Sequence, residues 1–372
     1  MYVREFRALL LFYFSYIFFV TFSRSLLPTY FLKEGFSFKE IVASGGIIFL
    51  AQLICLFIFK KPSLLIAWRF SLIAWLIFIL LVVRLENHLQ FYLAMIANGI
   101  SIFLFFIVYN VIHFDYTPQN RRGESTAVMV AFGPIISIIA PFAAGILAQI
   151  KFSLVWLVSG IVFIFCYYLT FLQKDFSYEY SIKKALSYVA ATRIYVFLEG
   201  IWEAMVFAVI PVYTLFFINT PLNYGIFASY LALLGAISSF ILGKFTDKIQ
   251  KRAVFLYPVT VIMAVVTYLF PFATESLNLW IILTGAISFL LPIFWNLTIA
   301  MVVDTHQDLK LAMPGREVFL SSGRTLGILI AFISFSLEKS PQIIFLVLGS
   351  VLLLFPIALY WNTRIKKHYQ YL

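Results

Sequence analysis

Twelve apolar stretches, each about as long as a bilayer is thick, fill almost all of this 372-residue chain. They lie at about 6–31, 40–59, 62–83, 89–113, 125–149, 152–172, 190–217, 223–243, 253–272, 279–303, 318–337 and 342–361. A hydrocarbon core needs about 20 apolar residues per helix. Inside it every backbone polar group needs a protein partner, which leaves helices or closed barrels. The runs do not alternate as barrel strands do. Only 12% of residues are charged, against about 25% in a soluble domain. The expectation is an all-α integral membrane protein with about twelve transmembrane helices.

The net charge of +11 is distributed as a topology signal. Threaded from a cytoplasmic N-terminus, the spans assign 21 Lys and Arg to the inside and 6 to the outside. That positive-inside bias puts both termini in the cytoplasm, in a plasma or inner membrane. No basic soluble stretch exists to bind nucleic acid. Cys55 and Cys166 fall within spans, so neither a disulfide nor a metal site is expected. The apolar run after Arg4 and Arg7 is too long for a signal peptide and reads as the first span.

The longest connection, 173–189, is polar and falls at the midpoint. It divides the chain into a six-helix half at 1–172 and another at 190–372, with a cytoplasmic linker between. A weak repeat at an offset of about 183 residues sets Pro28-Thr29-Tyr30 against Pro211-Val212-Tyr213. Later, Arg122-Gly123-Glu124 faces Gly315-Arg316-Glu317. Parallel six-helix repeats place a substrate site near mid-membrane between the halves.

Gly243-Lys244-Phe245-Thr246-Asp247-Lys248-Ile249-Gln250-Lys251-Arg252, between spans eight and nine, resembles the cytoplasmic loop signature of the major facilitator superfamily, with Gln250 in place of its second glycine. Lys33-Glu34-Gly35-Phe36-Ser37 resembles the family's short outer loop, and 118–123 its Arg-Gly turn. The first-half loop, Lys60-Lys61-Pro62-Ser63, lacks the signature. Met95 stands where proton-linked members often carry Arg before Gly99, and Ala140–Gly145 keeps small residues but loses two glycines of the exporter pattern. The resemblance implies two pseudo-symmetric six-helix halves of major facilitator type, with spans one, four, seven and ten lining a central cavity. It also gives Gly243, Asp247, Lys248 and Arg252 a role in the cytoplasmic loop.

Ionisable residues within spans are the leading functional candidates. Glu199 and Glu203 share a helix face four residues apart, beside Trp202. A centred charge costs roughly 2.5–3.5 kcal/mol to insert, so neither faces lipid. They are candidates for proton coupling or cation binding, or for a structural pair. Arg24, in the outer half of span one, is read as a ligand for an anionic substrate group, as a partner for a glutamate, or as a snorkelling side chain. Asn98, Asn110 and Asn296 are candidate substrate donors or helix bridges, with Gln52 as a further one. Asp115, Arg122, Asp304, Arg316 and Arg324 are expected at cytoplasmic helix ends, in salt bridges closing an inner gate. His113-Phe114-Asp115 and Asp304-Thr305-His306 have no second cluster for metal or acyltransferase chemistry. The aromatic residues are expected mostly on lipid-facing surfaces and interfacial belts.

The chain therefore reads as a secondary active transporter moving a small solute by alternating access, as symporter or antiporter, with protons as coupling ion, as a monomer in the lipid bilayer and without cofactor. No phosphate-binding loop is present, and no enzymatic activity is expected. The alternatives are a lipid flippase or scramblase, a polytopic membrane enzyme, and a sensor that binds without moving its ligand.

Overall fold

The computed structural model describes residues 4–115, 122–245, 252–306, 308–337 and 342–362. The helices are α1 (Arg4–Arg24), α2 (Leu27–Lys33), α3 (Phe38–Ile58), α4 (Leu64–Val83), α5 (His88–Asp115), α6 (Arg122–Ile150), α7 (Phe152–Thr170), α8 (Ile182–Tyr188), α9 (Arg193–Ala204), α10 (Ile210–Tyr213), α11 (Pro221–Phe245), α12 (Arg252–Ala273), α13 (Leu277–Thr305), α14 (Leu309–Leu337) and α15 (Ile343–Tyr360). A π-helical turn, Met205–Val209, joins α9 to α10, and a 3₁₀ turn, Thr214–Phe216, follows α10. Among the described residues twelve helical segments are long and apolar enough to cross a membrane. This matches the twelve expected spans.

The first six spans pack on one another through α1 with α6 and α7, α4 with α5 and α7, and α3 with α5. The last six pack through α9 with α14 and α15, α12 with α13 and α15, and α11 with α13. The most extensive contacts between the halves are α6 with α11 and α3 with α14. At the first, Gly225 lies against the Pro141 carbonyl and Gly145 against that of Pro221, so the small residues retained at 140–145 permit a near-backbone approach. Ser229 Oγ donates to the Ile138 carbonyl at 2.7 Å across the same seam.

Two spans are broken rather than continuous. Span one bends at Ser25-Leu26 between α1 and α2, and span seven loosens into the π turn before Pro211. Proline removes a backbone donor and disfavours the regular hydrogen bonding of the turn before it. Pro28 and Pro211 are the repeat partners found in the sequence, so the breaks stand at corresponding places. Gly35 then reverses the chain with φ of +89°, and the Ser37–Glu40 capping box starts α3.

Two expectations change, and the linker gains a definite attachment. Span eleven starts at Leu309, not at 318, because Pro314 and Gly315 are accommodated within α14, Gly315 lying against the Ala185 carbonyl of α8. The linker is held against the first half. Tyr178 donates to the Ile107 carbonyl at 2.6 Å and Tyr180 to that of Phe59 at 2.7 Å, pinning it to the ends of α5 and α3. Many aromatics are interior: Trp68, Trp75, Trp202 and Trp280 are fully buried. Phe12 stacks on Trp68 at 4.5 Å in the first half, and Tyr213 on Trp280 at 4.8 Å in the second. Such pairs add about 0.5–1.5 kcal/mol beyond area burial, and the exposed apolar surface is mostly aliphatic, as at Leu50, Ile54 and Ile58, with aromatics such as Phe57, Phe70 and Phe272 among them.

α9 and α14 pack to near-backbone contact. Gly323 and Gly327 form a Gly-x-x-x-Gly stripe, which lets membrane helices approach to backbone contact. A Cβ on Gly323 would strike the Phe197 carbonyl, one on Gly327 that of Ile201, and one on Gly200 that of Leu320. Gly327→Ala is expected to cost about 1–3 kcal/mol by overpacking, read as a fall in the melting temperature of the detergent-solubilised protein. An unchanged melting temperature would contradict the packing.

Candidate functional site

The face carrying Lys60, Lys61, Lys174, Lys183, Lys184 and Arg193 is here called the basic face. Two cavities of about 400 Å³ each lie between the halves. The one toward the basic face is lined by Phe49, Gln52, Phe106 and Asn110 from the first half, and by Glu203, Trp295, Arg316, Glu317 and Arg324 from the second. The one toward the opposite face is lined by Ser44, Met95, Pro211, Tyr224 and Leu291. Arg24 and Phe207 line both. Arg24 ends α1 at the first helix break and Phe207 lies in the π turn at the second. The two broken spans therefore form the septum between the cavities. Breaks at corresponding positions of two repeats are the feature that most often marks a transporter's binding site.

Against this septum lies a buried charge network built by the α9–α14 approach. Arg316 Nη2 donates to Glu199 Oε1 at 2.9 Å, and Thr298 Oγ1 donates to the same oxygen at 3.1 Å. Arg324 Nε donates to Glu203 Oε2, and Trp295 Nε1 donates to Glu203 Oε1. Glu317 bridges the two arginines, 3.8 Å from Arg316 Nη1 and 3.4 Å from Arg324 Nη1. Glu199 and Glu203 are wholly buried. Unpaired, such carboxylates would carry a desolvation penalty of several kcal/mol each. The Arg324 guanidinium also sits over the rings of Phe49, at 5.0 Å, and Phe207, at 5.2 Å. Phe49 belongs to α3, so this cation–π contact crosses between the halves.

The two glutamates are satisfied unequally. Both oxygens of Glu203 accept hydrogen bonds, whereas Glu199 Oε2 has no hydrogen-bond partner among the described residues. Three carboxylates face two guanidiniums, so the fully ionised network carries one negative charge in excess. A single proton makes it neutral, and the unpartnered oxygen of Glu199 is where a proton relieves the larger cost.

The expected site residues separate into groups. Glu203, Arg24, Asn110, Arg316 and Arg324 meet at the basic-face cavity, Gln52 with them. Glu199 sits behind it, joined through Arg316. Trp202 turns away: its Nε1 donates to Thr267 Oγ1 at 3.3 Å and its ring meets Phe294 edge-on, so it is a core residue of the second half. Asn98 is fully buried and lines neither cavity. Asn296 is exposed and its Nδ2 donates to the Pro292 carbonyl one turn back, satisfying its own helix. Arg316 and Arg324 do form inter-helix salt bridges, but within α14 rather than at its end, because the helix starts earlier than expected. Asp304 is exposed near the end of α13. His306 is structural, its ring nitrogens 2.9 Å from the carbonyls of Val302 and Tyr188. Gly243 lies in α11. Asp247 and Lys248, and the side chains of Asp115, Arg122 and Arg252, lie outside the described residues.

Sequence reasoning missed Glu317, Thr298 and the aromatic pair Phe49 and Phe207. The available signal was Gly323-x-x-x-Gly327, which identifies the face of α14 that meets α9. Cys55 and Cys166 are both buried and free. Among the described residues no group of three or more His, Cys, Asp or Glu could hold a metal ion.

No family model matches the chain, and no curated protein matches its sequence. Solved structures match its fold. A bacterial metal transporter superposes with a TM-score of 0.65 at 13% identity, covering 98% of this chain and 100% of that one. A bacterial homologue of the iron transporter ferroportin matches in its inward-facing state, with a TM-score of 0.67 at 14% identity over 96% and 98% of the two chains. Such a homologue in the outward-facing state gives 0.70 at 13% over 97% and 100%. At this identity the likeness is one of fold. The chain has the twelve-helix, two-half architecture of major facilitator type that its motifs resemble.

Arg324→Met strands Glu203 as a buried charge and is expected to cost about 3–5 kcal/mol. Adding Glu203→Leu removes the stranded charge and should recover most of that loss. The coupling energy from a double-mutant cycle on thermal denaturation tests this; additive losses would show that the pair is not energetically linked.

Proposed function

We propose that this protein is a secondary transporter that carries a small solute through the septum at Arg24 and Phe207 by alternating access. The moving bodies are residues 1–172 and 190–372, with 173–189 as the connection between them. One observation carries the reading: two cavities of equal volume, one toward each face, meet at a septum made of the two broken helices. Rocking the halves enlarges one cavity at the expense of the other. The charge bias of the loops favours both termini in the cytoplasm of a plasma membrane, and the cavity lies within a single chain, so a monomer suffices.

Coupling to protons follows from the excess negative charge of the network. A proton on Glu199 Oε2 weakens its hold on Arg316, whose next acceptor is Glu317 at 3.8 Å. Arg324, Glu203, Thr298 and Trp295 are the other polar groups of the network. Since Arg324 also contacts Phe49 across the seam, a shift within the network reaches the interface between the halves.

Metal ions are the cargo named for the fold's solved relatives. The cavity of this chain offers poor ligands for them. The two carboxylates that line it both face guanidiniums, Glu203 that of Arg324 and Glu317 those of Arg316 and Arg324, and its remaining polar lining includes amides and Arg24.

A locking experiment tests alternating access. Phe38 of the first half stacks on Phe216 of the second at 4.3 Å on the opposite face. On a Cys55→Ala/Cys166→Ala background, Phe38→Cys/Phe216→Cys permits a cross-link there. Single cysteines at Ser44 and Asn110 report access to each cavity from a membrane-impermeant maleimide. The reading expects both sites to react before cross-linking and only Asn110→Cys afterwards. Labelling of Ser44→Cys that ignores the cross-link would sink it.

A further inference from the structure

Three of the charged side chains at the basic-face cavity, Glu203, Arg316 and Arg324, are tied into the network, as is Glu317. Arg24 is different. Among the described residues it makes no hydrogen bond and no ion pair, and the charge nearest to it in effect is that of Arg324, of the same sign. An unpaired guanidinium in a confined cavity of low dielectric is a costly group. It belongs to the septum, where both cavities reach it. A second, independent observation points the same way. Gln52 lines the basic-face cavity with Arg24, is 4% exposed, and its Nε2 donor has no acceptor. Asn110 adds another amide to the same wall. Most of the remaining surface is apolar and aromatic, chiefly Phe49, Phe103, Phe106 and Phe207.

We propose that the septum is a binding site for an organic anion, its charged group held by Arg24 with Gln52 as a further donor, and its apolar body lying along the phenylalanine wall. The site supplies what an inorganic cation does not need, spare donors and a guanidinium outside any ion pair among the described residues, while its carboxylates, Glu203 and Glu317, face the arginines of the network. Guanidinium suits carboxylate, sulfonate and phosphate groups alike because its N–H fork matches two oxygens. Charge accounting gives the site a further property. Arg24 balances the single negative excess of the Glu199–Arg316–Glu317–Arg324–Glu203 network, so an anion on Arg24 leaves the cavity one negative charge over. A proton on the network restores neutrality, and proton and anion therefore favour each other's binding. This inference rests on the transport reading of the same cavity, but binding tests it without any flux being measured.

The probe is naphthalene-2-sulfonate, an aromatic anion that stays charged at every usable pH. Its effect on the melting temperature of the purified full chain in detergent is compared with those of neutral 2-naphthol, inorganic sulfate and Mn²⁺. A ligand that binds only the folded state raises that temperature with its concentration. The sulfonate is expected to stabilise the wild type saturably and more than 2-naphthol or sulfate does. Arg24→Gln should weaken its apparent affinity by about tenfold or more, as loss of a charge-assisted contact does. Arg24→Lys should retain part of it, and Gln52→Leu should cost about fivefold for one neutral hydrogen bond. If Arg24→Gln does not fold, the latter two variants carry the comparison. Phosphatidylglycerol that competes with the sulfonate, and does so through Arg24, would support the anion site and make a lipid headgroup its source. The proposal is overturned by three results: no stabilisation of the wild type by either anion, undiminished affinity in the Arg24 and Gln52 variants, or stabilisation by Mn²⁺ alone.

Discussion

The backbone contact between α9 and α14 is what the rest of the structure depends on. Three glycines, Gly200, Gly323 and Gly327, bring the two helices close enough for Arg316 and Arg324 to reach Glu199 and Glu203. With bulkier residues there, four charged groups would be stranded in the membrane interior, each at a cost of several kcal/mol. Packing and electrostatics are thus one requirement: the glycines make the pairs possible, and the pairs make those charges tolerable in a buried helix.

From that contact the organisation spreads outward. Arg324 lies between Glu203 and the rings of Phe49 and Phe207, so a second-half charge pair ends on a first-half aromatic and on the π turn of the broken seventh span. The π turn and the bend after Arg24 form the septum. The network therefore touches both the seam between the halves and the septum. The unequal satisfaction of the two glutamates gives this arrangement a direction. Glu203 is held from both sides, while Glu199 keeps one oxygen unpartnered, so the network is fixed at one end and open to a proton at the other.

Much of this was legible in the sequence, and the failures have physical reasons. Twelve helices follow from length and hydropathy because hydrocarbon permits little else. The shared face of Glu199 and Glu203 follows from helical spacing, and the cost of burying them identified the site. The start of α14 was misplaced because Pro314 and Gly315 read as a helix end, while in the structure Gly315 is fitted closely against α8. That error moved Arg316 and Arg324 to the membrane surface and hid their role in the cavity. Trp202 and Asn296 lie in lining spans but on the wrong sides of their helices, one turned into the core and the other outward. Hydropathy gives depth in the membrane, not rotation about the helix axis. Rotation is set by packing, and here the Gly-x-x-x-Gly stripe was the local clue to it.

The most direct measurement is the distance across each face between spin labels at exposed positions. Lys151 and Glu275 serve on the opposite face, and Phe171 and Tyr360 on the basic face. Alternating access predicts two populations in each pair, with a longer distance on one face accompanying a shorter one on the other. It also predicts that acidification redistributes them in the wild type but not in Glu199→Gln. A single distance on each face, unmoved by pH in the wild type, would contradict the account.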